Sequence, residues 1–157
     1  MKIEILAIGK TQSKYLAEGI EGYCNRIGHY LPFELTVLPD IKTTRTLSEA
    51  VQKQKEGQLM LAAMQPSDFV VLLDERGREY TSREFAGFIE KKMASGLKRL
   101  LLVIGGPYGF SEEVYARADG KISLSRMTFS HEMVRLFITE QIYRAMTFLR
   151  GEPYHHD

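Results

Sequence analysis

Residues 100–110 read LLLVIGGPYGF, an apolar run that ends in a loop with three glycines and a proline. A short continuous apolar run followed by glycine and proline predicts a buried strand that ends in a tight loop. Glycine has no side chain, so another group can approach its backbone closely. Because ligands bind at the carboxyl ends of parallel strands, the segment predicts a binding site beside these glycines.

Strand and helix patterns alternate along the whole chain. The predicted strands span 2–8, 33–38, 69–74, 99–104 and 121–125, and the predicted helices span 12–28, 48–64, 81–94, 111–118 and 131–150. Such alternation predicts an α/β fold with a mostly parallel sheet and helices on both faces. No linker or repeat divides the chain, so residues 1–157 are expected to form one domain. The loops that qualify for a ligand follow Leu73, Ile104 and Leu124.

Short polar patterns refine these boundaries. Thr81 and Glu84 match a capping box, which predicts that the third helix begins there. The polar segments 40–47 and 75–79 are expected to be exposed loops. Three charged residues of the second helix have the spacing of one solvent-exposed face: Glu49, Lys53 and Glu56.

The composition is that of an ordinary globular protein, with 44% apolar and 26% charged residues. Cys24 is the only cysteine, which excludes an internal disulfide and fits a reducing, cytoplasmic location. The apolar start MKIEILAIGK is interrupted by Glu4, so it is interpreted as a first strand and not as a signal peptide. No apolar run has the length of a membrane span, so no membrane partner is expected.

Common nucleotide, hydrolase and metal motifs are absent. Counting a Rossmann G-x-G-x-x-G pattern from Gly105 places Pro107 and Phe110 where the other glycines belong. A P-loop that ends at residues 9–11 would need glycine in place of Glu4. There is no G-x-S-x-G elbow, and one cysteine with four scattered histidines does not predict a metal site.

The last predicted helix, 131–150, is apolar on nearly all of its sides. A helix of this kind is buried on more than one side, which favours contact with a second copy of the chain as well as with the sheet. Arg135 and Arg144 are nine residues apart and therefore point to opposite sides of the helix. Glu140 precedes Arg144 by one turn, so an intrahelical ion pair is the simplest role for Arg144. The tail GEPYHHD holds a tyrosine and two histidines, which favours ordering over a site.

Six segments together resemble a known family. They are MKIEILAIGK (1–10), KEGQLMLAAM (55–64), VVLLDERG (70–77), LLVIGGPYGF (101–110), SLSRMTFSHEMVRLFITEQIYRA (123–145) and PYHH (153–156). The chain is similar to the small single-domain SPOUT methyltransferases that methylate N3 of a pseudouridine in the helix 69 loop of 23S ribosomal RNA. The similarity covers essentially the whole chain, and the combination of IGGP-x-G, LS-x-MTF-x-H and PYH is specific.

This resemblance implies a deep trefoil knot on the C-terminal side, a homodimer, and the assembled ribosome as the substrate. It also implies that S-adenosyl-L-methionine binds in the knotted loops between two subunits. The positions that match the family's cofactor site are Leu73, Gly105, Leu124, Ser125, Arg126, Met127, Thr128 and Phe129. The cofactor is a sulfonium cation, which explains why no phosphate-binding motif is needed. The formal charge of +1 favours a preformed ribosomal surface over naked RNA.

Methylation at N3 requires a proton to leave the base, so a general base or a group that stabilises the uracil anion is expected. Arg144 is the first candidate for stabilising the anion, and Arg135 is the second. Tyr154 and His155 in the tail are the candidates for the base. The family commonly has Arg or Lys after PYH, whereas His156 is mostly neutral at pH 7, so the contribution of that cation to RNA binding is in question here.

Three other functions stay open. The chain could be a SPOUT methyltransferase of another RNA such as transfer RNA, a non-enzymatic dimeric ribosome-binding module, or a small nucleotide-binding α/β protein, which the absent motifs disfavour. His131, which opens the last helix, is assigned a capping or interface role. Cations in or near loops are candidates for phosphate contacts, and equally for simple solvation: Lys10, Lys14, Arg76 and Arg78.

Overall fold

The computed structural model describes residues 1–41 and 47–156. Its strands are β1 (Lys2–Ile8), β2 (Phe33–Leu38), β3 (Phe69–Glu79), β4 (Arg99–Ile104) and β5 (Gly120–Ser123). Its helices are α1 (Lys14–Ile27), α2 (Glu49–Ala62), α3 (Ser82–Ala94), α4 (Glu112–Arg117) and α5 (His131–Leu149). Most of the loop predicted at 40–47 lies outside the described residues.

The described strands form one sheet in the order β2-β1-β4-β3-β5, and every pair is parallel. Helices α1, α3 and α5 cover one face of the sheet, and α2 and α4 cover the other. The predicted α/β fold, with a parallel sheet and helices on both faces, is confirmed. Because β4 lies between β1 and β3, the loop that follows it opens at the middle of the carboxyl edge.

The continuous apolar run of β4 follows from this layering. Leu100, Leu102 and Ile104 face the layer of α1, α3 and α5. Leu101 and Val103 face α2 and α4. All five side chains are at most 3% exposed. A strand that is covered on both faces gains from an apolar residue at every position, roughly 1.5–3 kcal/mol for each large side chain. The buried strand predicted at 99–104 is therefore confirmed.

Side-chain caps set the start of four described helices. Ser48, Ser111 and Ser130 each accept a hydrogen bond from a backbone N–H in the first turn of α2, α4 and α5. At the start of α3, Thr81 and Glu84 form the predicted capping box, with bonds of 3.1 and 2.8 Å. Each such cap stabilises its helix by about 1 kcal/mol.

The loop predicted at 75–79 is wrong, because β3 continues through this segment to Glu79. Leu73 pairs with Ile122 of β5, the register then shifts, and Arg78 pairs with Ile122 again. Beyond Leu73 the strand leaves the core, so most of its side chains are exposed and polar. In a sequence, a polar segment without alternation is usually interpreted as a loop. In this structure, the backbone of that segment is still paired with β5.

Gly77 lies where β3 passes closest to β5. A Cβ atom at this position would lie 2.6 Å from the backbone nitrogen of Ile122 and 2.7 Å from its carbonyl carbon. An atom cannot be placed so close to a main chain that is held in a sheet. Only glycine therefore fits at this crossing without moving one of the two strands.

Gly77→Ala is expected to lower the free energy of unfolding by about 1–3 kcal/mol, because the added methyl group overlaps paired backbone. Gly22→Ala is the matched control, since an added Cβ in α1 meets no atom within 4 Å. That change should raise the free energy of unfolding by about 0.5–1 kcal/mol. Urea unfolding of both variants measures the difference. Equal stability of Gly77→Ala and the parent chain would contradict the close approach of β3 to β5 at Gly77.

The predicted exposure of Glu56 is wrong, since this side chain is only 3% exposed. Glu49 is exposed as predicted, whereas Lys53 is half-buried. The buried face of α2 is difficult to predict from the sequence because two of its four residues, Gln52 and Glu56, are polar. The buried residues are Gln52, Glu56, Gly57 and Met60.

The apolar surface of α5 is largely covered within one chain, because α5 packs on the sheet between α1 and α3. Phe137 is an exception: it is 37% exposed and lies 4.9 Å from Phe129, measured between ring centroids. Among the described helices, α5 included, none is long and apolar enough to cross a membrane. Four apolar residues of α5 are at most 3% exposed: Ile138, Ile142, Ala145 and Met146.

Candidate functional site

A cavity of about 750 Å³ is lined by residues 73–76, in the part of β3 that leaves the core, and by the segments after β4 and β5. These are the three positions at which the sequence predicts loops for a ligand. The volume is within the range of small-molecule sites, which are usually apolar clefts with a few polar groups. The parallel arrangement of the sheet brings the loops after β4 and β5 to one edge, whereas the segment after Leu73 is still part of β3.

The segment after β4 forms one wall of the cavity. The carbonyl of Gly106 accepts a hydrogen bond from the Gly109 N–H at 3.1 Å, which closes a turn that contains Pro107. Gly109 has a φ of +83°, a conformation that favours glycine. Gly105 lies against the ring of Phe110, 3.2 Å from where a Cβ would be. The turn therefore offers main-chain groups to a ligand. We call residues 105–109 the glycine turn.

The loop after β5 forms a second wall, and its own hydrogen bonds hold its shape. Ser125 accepts a bond at its hydroxyl from the Met127 N–H at 3.0 Å. Ser123 donates its hydroxyl to the Ser125 carbonyl at 2.9 Å. Thr128 donates its hydroxyl to Glu75 at 3.2 Å. Met127 is 75% exposed, so this end of the loop offers an apolar side chain at the surface.

Seven of the eight residues that match the family's cofactor site line the cavity: Leu73, Gly105, Leu124, Ser125, Met127, Thr128 and Phe129. Arg126 does not. Its side chain is 87% exposed and points to Glu79, with 3.4 Å between Nε and Oε1. Only the main chain of Arg126 is therefore available to a ligand in the cavity. The role of all eight in cofactor binding stays a prediction.

Asp74 and Tyr115 also line the cavity, although the sequence analysis did not single them out. The Tyr115 hydroxyl donates to Asp74 at 2.5 Å, and the Arg76 N–H donates to the other carboxylate oxygen at 2.9 Å. Burial would raise the pKa of Asp74, but these hydrogen bonds outweigh burial and hold it below its usual value. Burial and Asp74 raise the pKa of Tyr115 to about 12. The cavity wall therefore holds an ionised carboxylate at neutral pH.

The three residues predicted to be catalytic lie together near the C-terminal end of α5. Glu140 accepts hydrogen bonds at Oε1 from Nε of Arg144 at 3.1 Å, from its Nη2 at 2.5 Å and from the Tyr154 hydroxyl at 3.0 Å. Arg144 donates through Nη1 to Nδ1 of His155 at 3.3 Å. The predicted ion pair of Glu140 and Arg144 is confirmed. We call these four residues the tail cluster. Glu140 connects the cluster because it bonds both Arg144 and Tyr154. The sequence indicated Glu140 only as the ion-pair partner of Arg144.

The hydrogen bonds of the tail cluster separate the two candidates for the base. Burial and hydrogen bonds with Tyr23 and Glu140 raise the pKa of Tyr154, so its hydroxyl stays protonated at neutral pH and acts as a donor. His155 accepts from Arg144 at Nδ1, which places the proton of the neutral ring on Nε2. Of the two side chains, only His155 has a ring nitrogen that can take up a proton, and this nitrogen, Nδ1, is engaged by Arg144.

The cavity and the tail cluster lie at opposite ends of α5. His131 and Val134 line the cavity. Arg144 follows His131 by thirteen residues, which corresponds to about 20 Å along the helix axis. Side chains do not span this distance, so the tail cluster of a chain does not reach that chain's own cavity.

Arg135, the second candidate for stabilising the anion, is buried and only 1% exposed. Its guanidinium donates to the Ile8 carbonyl at 2.8 Å and to the Thr11 hydroxyl at 3.0 Å. Burial lowers the pKa of Arg135, although Glu132 and Asp40 oppose this effect. The interpretation of Arg135 as a catalytic group is therefore wrong, because it connects α5 to the end of β1 and cannot reach a substrate.

Tyr115→Phe is expected to lower the free energy of unfolding by about 1 kcal/mol at pH 7, because the ionised Asp74 loses a donor. The pKa of Asp74 is held below its usual value in the fold, so its contribution is present above about pH 4. It is lost as the pH falls and the carboxylate is protonated, so the two chains should converge in stability at low pH. Urea unfolding across this pH range measures the effect. Tyr108→Phe at the exposed glycine turn is the control and should change nothing.

The fold and the cavity first define a class of protein, an α/β protein with a parallel sheet and a ligand-sized cavity at one edge of it. The crystal structure of tRNA (m1G37) methyltransferase from Aquifex aeolicus superposes with a TM-score of 0.58, over 100% of this chain and 76% of that one. At 14% identity, this similarity shows the fold alone. Within the described ranges, no three metal-ligating side chains gather into a possible metal site.

The family follows from the sequence comparison. The model of the family described as predicted SPOUT methyltransferases matches residues 1–155, and the chain belongs to this family. Proteins from Parabacteroides distasonis and Christiangramia forsetii are each 60% identical, over 100% and 99% of both chains. A protein from Flavobacterium johnsoniae is 53% identical over 99% of both chains. All three are named ribosomal RNA large subunit methyltransferase H. The family expected from the six segments is confirmed.

Proposed function

We propose that this chain transfers a methyl group from S-adenosyl-L-methionine to N3 of a pseudouridine in the helix 69 loop of 23S ribosomal RNA, on the assembled ribosome. The observation that carries the proposal is the cavity at the glycine turn, in a chain of a methyltransferase family. The names of the full-length relatives support ribosomal RNA as the substrate.

The cavity fits S-adenosyl-L-methionine in volume and in the chemistry of its walls. Leu73, Leu124 and Phe129 provide apolar surface for the adenine. The glycine turn brings main-chain donors and acceptors to the nucleoside without side chains between them. The ionised carboxylate of Asp74 suits a cationic ligand. The cofactor, when bound, supplies a methyl group activated by its sulfonium.

The tail cluster is proposed to act on the base. Glu140 fixes Arg144 and raises its pKa, so the guanidinium stays charged and can stabilise the negative charge on a uracil oxygen as the N3 proton leaves. Tyr154 donates a hydrogen bond, since its hydroxyl stays protonated. His155 is the candidate that takes up the N3 proton at Nδ1, after Arg144 has released this nitrogen and turned to the uracil oxygen.

A homodimer is part of the proposal, because in one chain Arg144 of the tail cluster lies about 20 Å along α5 from His131 of the cavity. A second copy that packs antiparallel along α5 would bring its tail cluster to the cavity of the first. The exposed ring of Phe137 on α5 lies beside Phe129 of the cavity wall and supports a contact at this place. Cyclic dimers are the commonest oligomers, and such a dimer has two equivalent shared sites.

The near-neutral charge of +1 supports a preformed ribosomal surface as the target, since affinity for free RNA rests largely on phosphate contacts. Lys10 and Lys14 are exposed and are candidates for such contacts. A ribosomal substrate and a single cysteine favour a cytoplasmic location. The trefoil knot implied by the family resemblance belongs to the same proposal.

Methyl transfer from labelled S-adenosyl-L-methionine tests the function directly. The acceptors are intact ribosomes, isolated large subunits, naked ribosomal RNA and transfer RNA from cells that lack the gene. We expect label in N3-methylpseudouridine of intact ribosomes, identified by mass. Label in transfer RNA would instead identify a methyltransferase of another RNA. Cofactor binding without any labelled acceptor would overturn the proposed substrate and leave the cofactor site standing.

Arg144→Ala is expected to lower kcat by about 10²–10³, because the developing anion loses its charged donor. Arg150→Ala is the control, since Arg150 follows on the same helix end but lies over the Tyr30 ring, 5.2 Å from its centroid. Its kcat should stay within about twofold of the parent. Single-turnover methylation of ribosomes measures both variants, and a fully active Arg144→Ala chain would remove this residue from the mechanism.

Mixing two inactive variants tests whether the site is shared. Gly105→Val obstructs the cavity, and Arg144→Ala disables the tail cluster. In a mixed dimer, one site combines an intact cavity with an intact tail cluster, so an equimolar mixture should recover about a quarter of the parent activity after subunit exchange. A mixture no more active than the two variants measured separately would show that each chain works alone.

A further inference from the structure

Glu56 is a buried carboxyl group that neither the cofactor site nor the tail cluster uses. It is 3% exposed, and within the part of the chain that the structure describes its Oε1 has no hydrogen-bond partner. Burial and, to a lesser degree, Asp40 raise the pKa of Glu56, and Gln52 opposes them. A buried polar atom without a partner destabilises a fold and is rare in native proteins. An apolar residue would avoid this cost, so a polar side chain of this length at this position calls for a functional reason.

The carboxyl group of Glu56 lies directly against Gly106. A Cβ atom added at Gly106 would overlap both carboxylate oxygens of Glu56. Gly106 lines the cavity and accepts the hydrogen bond that closes the glycine turn. Glu56 therefore supports the wall of the cavity at the residue where the turn begins to fold back.

The next residue of α2 makes a second contact of the same kind. A Cβ atom added at Gly57 would overlap the hydroxyl oxygen of Ser111. Ser111 accepts at this oxygen from the Val114 N–H at 3.3 Å and so caps α4. Two adjacent residues of α2, Glu56 and Gly57, thus contact the two ends of the segment from Gly106 to Ser111. Lys53, one turn earlier on α2, lines the same cavity.

We infer that Glu56 is a positioning residue of the cofactor cavity, whose carboxyl group holds the glycine turn in the shape that binds S-adenosyl-L-methionine. The inference rests on the proposed function. Three of the five residues in the turn are glycine, and glycine loses more conformational freedom on ordering than any other residue. A turn of this composition depends on neighbours for its shape. Without the carboxyl group behind Gly106, the ligand would have to order the turn as it binds, which weakens binding.

Glu56→Ala is expected to raise the dissociation constant and the KM for S-adenosyl-L-methionine about tenfold, while kcat at saturating cofactor and the KM for ribosomes stay within about twofold. Glu56→Gln keeps the shape of the side chain and should restore cofactor binding to within about threefold of the parent. Met60→Ala is the matched control, because Met60 is 1% exposed on the same helix and packs in the core away from the turn. It should lose stability without a change in the KM for the cofactor.

A double-mutant cycle tests the contact itself by calorimetric titration with S-adenosyl-L-methionine. Gly106→Ala alone should weaken binding, because its methyl group meets the Glu56 carboxyl group. Adding Glu56→Ala makes room for that methyl group, so the double variant should bind more tightly than Gly106→Ala alone. Additive losses in the cycle, or equal losses in Glu56→Ala and Met60→Ala, would overturn the inference.

Hydrogen exchange of the ligand-free chain separates this inference from the proposed function. Glu56→Ala should accelerate amide exchange in residues 105–109 more than Met60→Ala does. If the parent chain binds no S-adenosyl-L-methionine, the cofactor assignment fails, and the exchange rates alone decide whether Glu56 holds the turn. Unchanged exchange in Glu56→Ala would overturn its positioning role even if the parent binds the cofactor.

Discussion

The close crossing of β3 and β5 at Gly77 is the constraint on which the functional edge of the sheet depends. It allows Ile122 to pair first with Leu73 and then with Arg78, so β5 ends beside the end of β3. The loop that follows β5 consequently begins next to Leu73, with the glycine turn of β4 on the other side of β3 in the sheet order. A side chain at position 77 would overlap the backbone of Ile122, so one of the two strands beside the cavity would have to move.

Helix α5 then determines how the two halves of the proposed site are distributed. Arg135 connects α5 to the end of β1 through the Ile8 carbonyl, which holds the first half of the helix beside the cavity. Glu140 holds Arg144 and the tail at the other end. A rigid helix keeps these two ends apart, which is why the proposed site combines the cavity of one chain with the tail cluster of a second copy. The physical basis of the proposed shared site is therefore the length of α5.

Local patterns in the sequence predicted local structure well. The apolar run of β4, the capping box at Thr81 and the ion pair of Glu140 with Arg144 all involve residues within a few positions of each other, and all three are confirmed. The errors share one cause, since polar residues were assigned to solvent. The strand at 75–79 is polar because it leaves the core while still paired, and Glu56 is buried because α2 packs through a stripe that contains polar residues.

The sequence by itself determined the alternation of strands and helices, the segments that would meet at one edge of the sheet, and the family. These depend on short-range periodicity and on motifs, which a sequence displays directly. Only the tertiary structure decided that Glu56 meets Gly106, that Tyr115 meets Asp74 and that Arg135 is buried. Each partner is distant along the chain, and the contact exists because packing brings two elements together. The periodicity of one element indicates which of its faces is apolar, but it does not indicate what that face will touch.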